Sequence, residues 1–164
     1  IKSLLLNDIN LYGYHLPLDG HDELGNNVLL GKLWGLTETQ SPVGLVRIGS
    51  LPEKVSMSEF KQLVDDSLGR ESLHLPGGPE EVQTIAWCSG GAQGFIDQAI
   101  DLKADVYISG EVSEQTTHLA RECDIHYLAA GHHATERLGI KALGEHLAQK
   151  FGLECVFIDV SNPV

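Results

Sequence analysis

The chain is poor in the features that mark secreted, membrane-bound or nucleic-acid-binding proteins. Its three cysteines, Cys88, Cys123 and Cys155, are odd in number and show no C-x-x-C spacing. A disulfide framework or a thiolate zinc site needs paired or clustered thiols, so both are disfavoured. Reduced thiols in a cytoplasmic protein fit best. No apolar run approaches the ~20 residues of a membrane span, and no signal peptide is visible. Positive charge is scarce: 11 Lys and Arg stand against 23 Asp and Glu, a formal net charge of -12. Such a surface repels phosphate backbones and anionic lipid, which argues against nucleic-acid and membrane-surface binding. A G-x-S-x-G elbow is also missing, and Cys88, the best-placed thiol, has no basic neighbour in sequence to activate it.

What the chain does have is an ordinary globular balance, 42% apolar and 21% charged, in 164 residues. That suits one domain of ordinary size or part of a larger one, with a packed core. It opens at Ile1 rather than methionine, and residues 1–9 read like the end of an element already under way, which predicts a missing N-terminal part.

Residues 2–6 look like the last turns of a helix, and 9–14 like a short strand. Residues 15–23 form a loop dense in ligand-type side chains. A helix over 28–34 stops at Gly35, and a strand over 43–51 ends at Pro52. Ser56 and Glu59 have capping-box spacing ahead of an amphipathic helix closed by Gly69. Residues 72–75 read as another strand. The loop 76–79 is the best candidate for a join between sub-structures, somewhere in 76–81. Beyond it, strands over 82–87, 105–109, 125–130 and 154–160 alternate with helices over 95–102, 113–122 and 135–151. This predicts an α/β fold with mixed, mostly parallel strands and flanking helices.

In such a sheet, ligands gather beyond the carboxyl ends of the strands. Three loops leave there: 88–94, 110–113 and 131–135. The first offers backbone N–H groups in the manner of an anion nest but lacks a GKS/T ending, so a tight strand-to-helix turn is the better reading. In the second, Ser113 and Glu114 are explained by capping, whereas Glu111 is not. Glu111 is a candidate to orient a histidine or water, or to act as a general base. In the third, His132 shares a face with Glu136 if it lies in the first helical turn. Together with His15 and His21 flanking Asp19, these residues give two distant segments that each hold imidazole and carboxylate. That donor set suits zinc, iron, manganese or nickel rather than calcium.

Four ordered motifs carry a resemblance: HLPLDxHxELGNN at 15–27, WCSGGAQGFIDQA at 87–99, GEVSEQ at 110–115 and GHHATER at 131–137. With the closing VFIDVSNP, they resemble the YbgI branch of the Nif-three-like family, whose members are often labelled homologues of the type two GTP cyclohydrolase. The resemblance implies a Nif-three-like α/β fold around a dinuclear metal centre, of which these residues are the C-terminal portion. It also implies a toroidal homo-hexamer. Asp19 would hold the first metal, His132 the second, and Glu136 would bridge them, while His15 and Glu111 line the site as catalytic candidates. The family also uses an upstream HHG motif, absent from these 164 residues, so the donor set here is partial. The implied chemistry is hydrolysis of a small, nucleotide-like substrate; the rival is a non-catalytic metal-binding scaffold or regulator. His133 is expected to stay outside the site.

Overall fold

Six strands between Thr37 and Ala129 build one sheet, and the helical stretches between them cover both faces. The structure is a computed structural model describing residues 1–164. In chain order the elements are α1 (Lys2–Leu6), α2 (Leu16–Asp19), α3 (Asn26–Leu33), β1 (Thr37–Glu38), β2 (Arg47–Ser56), α4 (Met57–Leu68), β3 (Leu73–Leu75), β4 (Glu81–Trp87), α5 (Ile96–Asp101), β5 (Val106–Ser109), α6 (Glu114–Glu122), β6 (His126–Ala129) and α7 (His132–Phe151). The six strands lie in the order β1-β2-β4-β5-β6-β3. β4, β5 and β6 run parallel to one another, while β1, β2 and β3 pair antiparallel at the flanks. The sheet is thus mixed, and its parallel part is the alternating second half of the chain.

β5 and β6 are buried along their whole length, as expected of parallel strands covered on both faces. Successive residues feed opposite cores. Trp87, Ile108 and Leu128 join Leu30, Phe60 and Val64 on the side of α3, α4 and α7. Ala86, Tyr107 and Tyr127 join Ile96, Ala99 and Ala120 on the side of α5 and α6. The capping box forms as expected: Ser56 Oγ accepts from Glu59 N at 3.2 Å and Ser56 N donates to Glu59 Oε2 at 3.0 Å. Gly69 closes α4 in the left-handed conformation.

Four expectations are corrected. Residues 9–14 and 154–160 are in no ladder and largely exposed. Their β-prone composition finds no partner strand within the chain, and composition alone does not make a strand. The strand expected over 43–51 runs instead from Arg47 to Ser56, and Pro52 does not end it. Pro52 falls in the register irregularity between Ser50 and Val55, where no ladder bond requires its missing N–H. Finally, α7 begins at His132, three residues before its apolar pattern does. The loop after β3 lies against the backbone around Ala120 and Ile125, and the strands on either side of it belong to the same sheet. No helix is long and apolar enough to cross a membrane.

Candidate metal centre

The loops that leave β4, β5 and β6 meet at the carboxyl edge of the sheet and are bonded to one another through their backbones. Gly110 N donates to Gly90 O at 2.8 Å, and Gly131 N donates to Gly110 O at 2.9 Å. Gly90 has φ 67° and lies so close to the α7 side chains that a Cβ there would collide with Glu136 Oε1. Only glycine meets both demands. Thr135, in the first turn of α7, takes a hydrogen bond from Gly90 N at 2.9 Å and donates to Gly131 O at 2.9 Å. The rim is thereby fixed to the helix that carries the donors.

Because α7 starts at His132, Glu136 is one turn further along the same face. His132 Nε2 is 3.1 Å from Glu136 Oε1, and His132 Nδ1 donates to Glu111 Oε1 at 2.6 Å. Glu111 is anchored in turn, its carbonyl accepting from Tyr127 Oη and from Ser109 Oγ, the latter at 3.1 Å. The imidazole is therefore clasped between two carboxylates. Its hydrogen bond to Glu111 is the chief reason its pKa rises above the ordinary histidine value, with the charge of Glu136 adding to it and burial opposing it. Glu136 is also shifted upward. Burial dominates and Asp19 adds to it, outweighing the opposing charge of His132.

The facing wall comes from α2, a single turn with Pro17 near its start and Asp19 at its end. Asp19 is only 5% exposed. Its Oδ1 accepts from Asn26 Nδ2 at 2.8 Å and from Ser89 Oγ at 2.9 Å. His15, exposed and immediately before α2, lines the same cleft of about 290 Å³ as Asp19, His132 and Glu136. Leu16, Leu45, Ala92 and Phe95 give the cleft an apolar side. Cys88 also borders it, but burial pushes its thiol up to about 12, so it is neutral and neither a nucleophile nor a thiolate ligand.

The structure thus brings Asp19, His132, Glu136 and His15 to one cleft and puts Glu111 behind the imidazole. His21 is not part of it: its Nδ1 accepts from the backbone of Glu23 and Leu24, both at 3.2 Å. His133 turns away to Asp159. No three His, Cys, Asp or Glu side chains are grouped tightly enough to hold a metal by themselves. The donor chemistry nevertheless suits a divalent cation. A histidine with one nitrogen on a carboxylate presents the other as a ligand. The imidazole lies between Glu111 and Glu136, neither of which is paired with a Lys or Arg. Sequence reasoning missed the second layer, Asn26, Asn27, Ser89 and Thr135. Its only signal was two adjacent asparagines where a helix begins.

The Duf34/NIF3 (NGG1p interacting factor 3) family model matches residues 1–163. A GTP cyclohydrolase 1 type 2 homolog from Pseudomonas aeruginosa is 51% identical over 168 residues, covering 99% of this chain and 66% of that protein. The homolog of the same description from Escherichia coli K12 is 52% identical over 164 residues, with the same shares covered. Among solved structures, protein ybgI superposes with a TM-score of 0.96 at 52% identity, covering 99% of this chain and 66% of that one. A Thermus thermophilus protein superposes at 0.89 with 33% identity and the same coverage. The chain therefore spans 66% of the length of these relatives. Matched along nearly its whole length and half identical to three of these relatives, the chain belongs to the Duf34/NIF3 family.

Proposed function

We propose that this chain supplies part of a dinuclear, metal-dependent hydrolase site acting on a small, nucleotide-like molecule. One observation carries the reading: His132 is held by Glu111 with its second nitrogen turned to Glu136, and Asp19 faces that pair across the cleft. Asp19, His132 and Glu136 would hold the ions. Divalent cations so held supply an activated water and a clamp for a developing oxyanion. The chain's own residues do the rest. Glu111 keeps a proton on Nδ1 of His132 and fixes the ring. His15, at the mouth of the cleft, can exchange a proton between the reacting group and solvent. The apolar side formed by Leu16, Leu45 and Phe95 gives a heterocyclic ring a surface to lie on. A cytoplasmic, ring-shaped homo-hexamer with its sites facing inward belongs to the same proposal.

The test is elemental analysis of the purified full-length protein after reconstitution with zinc, iron, manganese or nickel, alongside Asp19→Ala combined with Glu136→Ala. Retained metal that the double variant loses supports the reading; metal retained equally by both sinks it. A second reading, a metal-binding scaffold without turnover, uses the same donors, Asp19, His132 and Glu136, around the same cleft. It predicts bound metal but no product from a broad screen of phosphorylated and heterocyclic substrates.

A further inference from the structure

Asn26 and Asn27 open α3, yet neither caps it: Gly25 holds that position and no side-chain cap bond forms. Both are buried, at 4% and 0% exposure. A carboxamide out of water is costly unless both its ends are bonded, so the bonds show what the pair is for. Asn26 Nδ2 donates to Asp19 Oδ1 at 2.8 Å, and its Oδ1 accepts from Gly139 N, in the middle of α7, at 2.7 Å. Gly139 is three residues past Glu136. A Cβ there would stand 2.8 Å from Asn26 Oδ1, so glycine is what admits the contact. Asn27 Oδ1 accepts from Ser89 N at 2.7 Å, and Ser89 Oγ donates to Asp19 Oδ1 at 2.9 Å. Both bonds to Asp19 fall on the same oxygen, which leaves Oδ2 without one.

One carboxamide therefore spans the two walls of the cleft, from the helix turn bearing Asp19 to the helix bearing His132 and Glu136. The sheet is not in this path. We propose that Asn26 is a positioning residue that sets the gap between Asp19 and Glu136, while Asn27, through Ser89, selects which oxygen of Asp19 is presented. The proposal rests on the metal reading above and adds to it that affinity for the cation is set by two asparagines that never touch it. Groups that orient metal ligands in this way typically account for ~10–100-fold in affinity.

The experiment titrates the full chain with Mn²⁺, followed by electron paramagnetic resonance, and with Co²⁺, followed by visible absorption. Asn26→Ala is expected to weaken Mn²⁺ binding by ~10–100-fold and to alter the Co²⁺ spectrum through loss of an oxygen ligand. Ser89→Ala is expected to give a smaller loss of the same kind. Gly139→Ala displaces Asn26 without removing a polar group and is compatible with a helix, so it is the variant of choice if Asn26→Ala does not fold. Val64→Ala, a buried core truncation away from the cleft, lowers Tm and is expected to leave both metal signals unchanged. Unchanged affinity in Asn26→Ala and Gly139→Ala, with wild type binding normally, overturns the positioning role alone. An equal loss in Val64→Ala overturns it as well, by showing that general destabilisation is enough. Wild-type protein that takes up neither ion overturns the metal reading together with it.

Discussion

His132 and His133 are adjacent on the first turn of α7, and each has a carboxylate within 2.8 Å of a ring nitrogen. About 100° of helical rotation gives the two rings different surroundings. His133 meets Asp159, which is already bound to Arg137 Nη1 at 2.7 Å and lies below the usual carboxylate range, first because of His133 and then because of Arg137. That carboxylate is neutralised by the protein itself. His132 meets Glu111 and Glu136, neither of which has a Lys or Arg partner. The difference lies in whether the surrounding acids still lack a cation. A donor-rich site is recognised by that deficit more than by the histidine.

The strongest attack on this comparison removes the deficit. Asp19→Ala with Glu136→Ala is expected to abolish uptake of divalent metal, measured by equilibrium dialysis; residual stoichiometric binding would mean that the donors lie elsewhere. Next, Glu111→Gln should weaken uptake by ~10–100-fold, as loss of a ligand-orienting carboxylate does. The same variant should bring the His132 pKa down toward the ordinary histidine value, read by NMR titration of the ring in the absence of added metal, because the largest cause of its rise is gone.

A third test uses the sign of the shifts. His132 and Glu136 are both raised in the fold, so their protonated forms are the favoured ones. Without metal, the contribution of this pair to stability is full below the unfolded values and declines as pH rises through the raised folded ones. A cation needs the deprotonated forms, so the linkage reverses on loading. At a fixed metal concentration uptake should therefore fall off on acidification, and uptake that does not change with pH counts against the clasp. The smallest effect belongs to the neighbour. Asp159→Asn should leave metal uptake intact and only loosen the segment after α7, read as faster amide exchange at His133, whose N–H donates to Val164 O at 3.0 Å. Metal loss in that variant would mean that His133 and Asp159 serve the same site as His132.

Local signals in the sequence carried far. Ser56, Glu59 and Gly69 bounded α4, and the apolar runs ending at Trp87, Ser109 and Ala130 located the edge where the site lies, the last strand stopping one residue earlier at Ala129. In each case a few consecutive residues contain the cause. The start of α7 was harder to read because Gly131, its N-cap, offers no capping side chain, and apolar periodicity sets in only after the histidines. Residues 9–14 and 154–160 were misread because a strand is made by its partner, which short-range composition does not contain. Asn26 was opaque for the same reason at longer range, since its bond to Gly139 crosses 113 positions.

The chain of main-chain bonds from Gly90 through Gly110 to Gly131 has a consequence for how such a site changes over time. Peptide groups hold the rim, and the side chains that give it chemistry hang from it without being needed to close it. Exchange of a histidine for a carboxylate, or of one acid for another, can therefore change the chemistry of the rim while its backbone keeps its shape. The three glycines lack that freedom: a side chain at Gly90, Gly110 or Gly131 would collide with Glu136, with the backbone of His132 or with Arg70, respectively. Variation around this rim is expected to concentrate on the donors and to spare the residues that have no side chain.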